Sequence, residues 1–303
     1  MSGNFDSPSP MQPLSVGNVV SAGVRLYRSH LKSYFSLAVI VCLWSMLPFL
    51  FFVPSGIILY VNLASGRNSP LNWLIVSLIG LGLSIYALGK SLVNSATISR
   101  LAFGELVNQP ETVKQARNQI QPRMWTLVIN VFLLFLIYLG LSIFFVFLLL
   151  IPLLNILLLI PITAILTWFV ARFFLADILI AIEENIDAVA AISRSWDLSQ
   201  TNAWRIALIL FVSFLITIPF QLLTQLVSRG VMQSLILPRI QEAISGSNSA
   251  ISFIITVYLI VLGLSFLVGA ALLPFWQTVK AVIYYDLRSR REGLGLQLRD
   301  REI

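Results

Sequence analysis

Apolar residues fall into six long blocks, at about 35–60, 71–98, 124–148, 158–182, 205–227 and 251–284, separated by shorter polar stretches that hold most of the Arg and Lys. The third and fourth blocks merge into one run. Residues 124–171 contain no Asp, Glu, Lys, Arg or His. As a single helix that run would be about 70 Å long at about 1.5 Å per residue. A bilayer core is about 30 Å thick, so one crossing takes roughly 20 residues. The run therefore predicts two spans joined by a turn near Ile151-Pro152-Leu153-Leu154-Asn155, where proline and asparagine interrupt the pattern. Pro48 and Pro54 are expected to kink the first span or end it early. In the polar stretch Ser228–Ser249, the segment Val231–Ile244 is expected to form a short helix on the membrane surface.

The segments before the odd-numbered spans have a different pattern. Val16, Val19, Val20, Val24, Tyr27 and Leu31 recur at the spacing of one helix face, with Arg25, Arg28 and Lys32 roughly opposite. That is the pattern of a helix lying in the interface, its cations toward lipid headgroups. Asp187–Ser199 repeats it, with Val189, Ile192 and Trp196 on one side and Arg194 away from them. Ser15–Ile40 slides onto Glu184–Ile209 without a gap, pairing Val20 with Val189, Arg25 with Arg194, Tyr27 with Trp196 and Phe35 with Trp204. Glu111–Trp125 is a shorter middle copy. The expected fold is all-α: a polytopic membrane protein with six transmembrane helices as three hairpins, each preceded by a cytoplasmic interfacial amphipathic helix. One membrane domain would cover residues 15–287, with candidate repeats at 15–104, 105–183 and 184–287. Residues 1–14 would be a mobile polar N-terminus and residues 288–303 a basic cytoplasmic tail.

Composition strengthens this reading. The 303-residue chain is 58% hydrophobic and 11% charged, against about 45–50% and about 25% in soluble domains. The formal net charge is +7. Because the basic residues flank apolar blocks, the charge points to anionic lipid headgroups and not to nucleic acid. Arg25, Arg28 and Lys32, then Arg100, Lys114, Arg117 and Arg123, then Arg194 and Arg205, then Arg288, Arg290, Arg291, Arg299 and Arg301 all fall on one side of a six-span topology. The opposite loops hold Arg67, Arg229 and Arg239. The positive-inside bias then places both termini in the cytoplasm. Cys42 is the only cysteine, which excludes an intrachain disulfide and a multi-cysteine metal site.

Two segments carry a resemblance. One runs from Glu183-Glu184-Asn185-Ile186-Asp187-Ala188 through Ser193-Arg194-Ser195-Trp196-Asp197-Leu198-Ser199. The other is Tyr284-Tyr285-Asp286-Leu287-Arg288-Ser289-Arg290-Arg291-Glu292-Gly293-Leu294. Both resemble the membrane domain attached to some glycerophosphoryl diester phosphodiesterases, and related six-span bacterial membrane proteins of unknown function. The resemblance implies six spans, cytoplasmic termini and a bacterial inner or internal membrane. It does not imply the hydrolase activity, which resides in a separate soluble domain.

Candidate chemistry is sparse. His30 is the only histidine, and no HExxH pair, cysteine cluster or phosphate-binding glycine loop appears. No catalytic, metal or cofactor site is expected, and the chain reads as a non-enzyme. Lys90, Arg172 and Lys280 each lie several residues before the cytoplasmic end of a returning span. They are candidates for one cavity that holds an anion such as a lipid phosphate, with Asp177 as a partner for Arg172; the alternative is that each cation snorkels to the headgroups. Arg25, Arg28, Lys32, Arg194, Trp196, Arg288, Arg290 and Arg291 are candidate headgroup contacts. Asp286 and Arg290 stand at the i, i+4 spacing of a helical ion pair. The expected partners are membrane lipids, mainly anionic, with a membrane-protein partner or a second copy also open. Two functions follow: lipid binding, membrane organisation or assembly of membrane complexes on one hand, and a transporter or lipid-translocating protein on the other.

Overall fold

A computed structural model describes residues 14–64, 70–149 and 154–292. Of the turn expected near residues 151–155, residues 151–153 lie outside the described residues, as do Arg67, the polar stretch 1–13 and the tail from 293 onward, while Leu154 and Asn155 begin a helix. Among those described, the chain is helical, with no strand. The helices are α1 (Val16–Ser29), α2 (Leu31–Ala64), α3 (Pro70–Leu106), α4 (Val113–Ile120), α5 (Met124–Leu149), α6 (Leu154–Phe173), α7 (Ala176–Ile182), α8 (Ala188–Ser199), α9 (Ala203–Val231), α10 (Leu237–Ile244) and α11 (Asn248–Glu292). Six helical segments are long and apolar enough to cross a membrane, which makes this an integral multi-pass membrane protein by length and composition.

Three boundaries differ from the sequence expectation. α2 runs through Pro48 and Pro54 without ending. A proline leaves a carbonyl one turn earlier without its donor, and in apolar helices nearby hydroxyls restore such bonds. The Ser55 hydroxyl, next to Pro54, donates to the Phe51 and Phe52 carbonyls at 2.8 and 3.1 Å, which ties the turn that contains Pro54 without replacing the bond to Leu50. The fourth span is broken: α6 ends at Phe173, Phe174 and Leu175 form a turn, and α7 begins at Ala176. After the fifth span, α9 continues to Val231, passes through a wide π-type turn at Met232–Ile236, and leads into α10. The segment Val231–Ile244 thus extends the preceding helix.

The chain divides into two compact units. The first comprises residues 1–31, 96–213 and 275–303, and the second residues 32–95 and 214–274. In the first unit, α8 packs on α5, α6 and α7, and α5 packs on α6. The face of α8 that packs is made of Ala188, Ala191, Ser195, Leu198 and Ser199, while Val189 on the expected apolar side is 65% exposed. Small residues let helix backbones approach closely, and that outweighs the larger apolar side chains in choosing the buried face. α1 buries Val19, Val20 and Gly23. A Cβ on Gly23 would stand 2.7 Å from Val279 Cγ2 and 3.2 Å from the Val279 backbone, so this contact with α11 requires glycine.

In the second unit the core is apolar. Ile236, Ala243, Ala250 and Ile254 form a cluster that Ile240, Ile251 and Val257 cover. Trp44 meets Tyr86 edge-on at 5.8 Å, and Phe49 meets Phe266 at 5.9 Å. The Ser45 and Ser91 hydroxyls share a hydrogen bond of 2.8 Å.

Across the two aligned segments, burial follows one register within the spans. Tyr34, Leu37, Ala38 and Val41 are buried, and so are Ala203, Ile206, Ala207 and Leu210, each 169 residues later. Before the spans the register departs, since Val20 is 5% exposed and Val189 65%.

Candidate polar site

The break between α6 and α7 organises the polar residues of the first unit. A helix end leaves carbonyls and N–H groups without intrahelical partners. At the end of α6, the Arg172 carbonyl accepts the Ser195 hydroxyl at 2.7 Å and the Ser199 hydroxyl at 3.3 Å, both from α8. At the start of α7, Asp177 Oδ1 accepts the N–H of Ile178 at 3.0 Å, and Oδ2 accepts Lys280 Nζ at 2.6 Å. An acidic residue in the first turn of a helix also suits the helix dipole. Lys280, on α11, lies over the Phe174 ring at 4.8 Å.

The far end of α7 is capped by cations, again as the dipole favours. Arg100 Nη1 donates to the Ala181 carbonyl at 2.7 Å. Arg123 Nη1 donates to the Ile180 carbonyl at 2.9 Å and to the Glu183 carbonyl at 2.6 Å. Arg100 is held in turn by a two-point bond to Glu111, 2.8 Å at each contact. Glu111 is brought there by the turn after α3, where Asn108 takes a left-handed conformation (φ 55°) and the Gln109 N–H closes onto the Gly104 carbonyl at 2.8 Å.

α11 supplies the rest. Tyr284, fully buried, donates its hydroxyl to Glu183 Oε1 at 3.0 Å, with its ring 5.2 Å from that of Phe103. Arg194 reaches the same carboxylate at 3.7 Å. Asp286 receives Arg205 Nη1 at 2.5 Å and Arg290 Nε at 2.9 Å on one oxygen, and the Leu14 N–H at 3.2 Å on the other. Arg205 also donates to the Leu14 carbonyl. The i, i+4 pair of Asp286 and Arg290 is therefore formed, inside a larger cluster. His30 Nε2 stands 3.2 Å from Glu105 Oε1.

The candidate residues are thus distributed as follows. Asp177 and Lys280 are brought together. Asp177 does not pair with Arg172, because the turn at Phe174-Leu175 starts a new helix and directs its carboxylate to α11. Arg172 lies over the rings of Trp168 (4.6 Å) and Trp196 (4.4 Å), and Nη1 donates to the Trp196 carbonyl at 3.0 Å. Lys90 belongs to the second unit, where it lies over Tyr86 at 5.5 Å. Of the candidate headgroup contacts, Arg194, Arg288, Arg290 and Arg291 reach protein acceptors: Glu183, the Tyr284 hydroxyl, Asp286, and the Asp197 carbonyl with Thr201. Arg25, Arg28 and Lys32 are exposed and make no ion pair among the described residues.

Sequence reading passed over Arg100, Glu111, Arg123, Glu183 and Trp168 as parts of this network. Their partners lie tens of residues away, and the available signal was the Arg placed just before or after a span. The chain matches no family model, no curated protein and no solved structure.

Proposed function

We propose that this is a non-enzymatic membrane protein that binds anionic lipids and organises the membrane around it or assists assembly of other membrane complexes. The observation that carries the reading is how the first unit uses its charges. Its buried cations pair with carboxylates, ring faces and helix carbonyls, whereas Arg25, Arg28 and Lys114 face outward without an ion pair among the described residues. Exposed cations near a membrane surface attract anionic headgroups by about 1 kcal/mol each. Trp125 and Trp204, at the starts of α5 and α9, are 55% and 61% exposed, which suits the interfacial aromatic belt. In this reading each hairpin hangs from a cytoplasmic surface helix, both termini are cytoplasmic and the membrane is a bacterial inner or internal one. The positive-inside bias and the resemblance noted in the sequence support that orientation.

The test is lipid analysis of the chain reconstituted in mixed phosphatidylglycerol and phosphatidylcholine. The wild type is expected to enrich phosphatidylglycerol in its annulus, and R25Q/R28Q/K114Q to lose most of that enrichment. Equal lipid ratios for both proteins would sink the reading. For orientation, a fluorescent protein fused at the C-terminus should mature in cells, and alkaline phosphatase fused there should be inactive.

A second reading, a transporter or lipid-translocating protein with a cytoplasm-facing cationic cavity, is favoured by the broken fourth span, since transporters build substrate sites at helix breaks. Reconstituted protein that moves a labelled lipid between leaflets, and stops when Asp177 is replaced by Asn, would support it over the first.

A further inference from the structure

Arg172 is a buried cation of the first unit whose hydrogen bonding is incomplete. It is 6% exposed. A guanidinium carries five N–H donors. Nη1 makes the only side-chain hydrogen bond of this group among the described residues, and Nε is buried with no partner. The Trp168 and Trp196 rings cover the faces of the group, but ring faces compensate charge and leave the in-plane donors unbonded. Buried donors almost always have an acceptor, so the edge of Arg172 is a place for one.

A second guanidinium is gathered at the same helix end. Arg291, at the end of α11, donates to the Asp197 carbonyl and, at 3.2 Å, to Thr201 Oγ1. Trp196 and Asp197 are consecutive residues near the C-terminus of α8, so the two groups bond adjacent carbonyls. Two positive charges held on adjacent carbonyls repel each other. Asp197 is itself exposed, and no hydrogen bond joins its carboxylate to either guanidinium.

We propose that Arg172 and Arg291 form a binding site for a phosphate group at the C-terminal end of α8. Two planar forks bonded to adjacent carbonyls suit a tetrahedral anion, which offers oxygens in several directions. The ligand is a phosphate ester or free phosphate. A phospholipid headgroup fits the surroundings, because Arg172 lies near the end of a spanning helix and Trp168 and Trp196 are amphipathic residues of the interface. Arg172 supplies the desolvated donors and the aromatic wall. Arg291, exposed and at the end of its helix, closes over the anion and is released with it. The site rests on the lipid-binding reading above and gives it a chemical group and an address. It differs from the outward-facing cations, which act on the lipid annulus without holding one molecule.

The experiment uses the full chain in a zwitterionic detergent, titrated with dihexanoyl phosphatidylglycerol, inorganic phosphate or uncharged dihexanoylglycerol. Binding is followed by tryptophan emission, with W196F as the assignment control, and by native mass spectrometry. Saturable, one-to-one binding of phosphatidylglycerol is expected, weakened about tenfold or more by R291Q and less by R291K. Thr201→Val, which loosens the hold on Arg291 without removing a charge, is a second variant should R291Q fold poorly. It is expected to weaken binding about threefold. Displacement by millimolar inorganic phosphate would support the site with free phosphate as its ligand, and no displacement would support it with the lipid ester. Equal binding of dihexanoylglycerol, or unchanged binding in folded R291Q and Thr201→Val, would overturn it. Saturable binding retained in R25Q/R28Q/K114Q, with no annular enrichment even in the wild type, would leave the site standing while the broader reading fails.

Discussion

The two units hold themselves together by different physics. In the first, helices are tied by charge: Asp286 takes two arginines and a backbone N–H, Asp177 takes Lys280, and Glu111 takes Arg100. In the second, Glu242 is the only acidic residue, and it pairs with Arg239 at 3.8 Å within one helix. Its helices meet through ring edges, the Ser45–Ser91 bond and small residues such as Gly80, where a Cβ would stand 2.2 Å from the Phe51 ring. Both units expose large apolar side chains, such as Leu78 at 74% in the second and Ile160 at 76% in the first. A lipid-bathed region gains no hydrophobic drive from joining helices, because lipid tails are as apolar as leucine; it relies on packing and scattered polar bonds. A region rich in helix ends must instead satisfy many backbone groups and pair every charge it buries. The first unit has such ends at α1, α4, α6, α7 and α8.

This contrast ranks the effects of substitution, read as thermal unfolding of the chain in detergent. The largest is expected at Asp286→Asn. Its side chain is 5% exposed, and removing the charge leaves Arg205 and Arg290 facing each other. The expected loss is about 3–5 kcal/mol. Asp177→Asn comes next, at about 2 kcal/mol, because Asp177 is 24% exposed and water screens the stranded Lys280. The double variant D177L/K280M should recover most of that loss, since two apolar groups leave no charge behind. A double variant no more stable than Asp177→Asn would mean that the pair does more than compensate charge.

Gly23→Ala should cost about 1–2 kcal/mol, as α1 and α11 are pushed apart at Val279. Gly17→Ala, with open space around it, should cost nothing and serves as the control. The smallest effect belongs to the second unit: Ser45→Ala should cost about 0.6 kcal/mol, the average for a polar bond between membrane helices. If Ser45→Ala proved as damaging as Asp177→Asn, the division between charge-tied and packing-tied units would fail.

The six spans were legible because their signal is local. Residues 124–171 declare their environment through the side chains they lack, and no distant contact can change that. The break at Phe174-Leu175 was not legible. Arg-Phe-Phe-Leu-Ala-Asp contains neither glycine nor proline, and the break is supported by Ser195 and Ser199, more than twenty residues away. Pro48 and Pro54 are the opposite case: a strong local signal allowed a kink or an early end, and the helix continues without ending. The face of α8 that packs on the protein was not legible for a related reason. Hydrophobicity selects Val189, Ile192 and Trp196, whereas close backbone approach selects Ala188, Ala191 and Ser195. Asp286 and Arg290 were legible as a pair four residues apart, but Arg205 and Leu14 joining them was not.

The amino-acid sequence by itself determined that this chain lives in a bilayer and how many helices are long enough to cross it, because burial in lipid is decided by composition over about 20 residues. It also singled out Lys90, Arg172, Asp177 and Lys280 as charges that must be paired, hydrated or near a span end. Only the tertiary structure decided which partner each one received. Lys280 goes to Asp177 across 103 residues, and Arg172 goes to two tryptophans and one carbonyl, with donors to spare. Pairing energy depends on distance and exclusion of water, and both are set by the packing of helices that are remote in sequence.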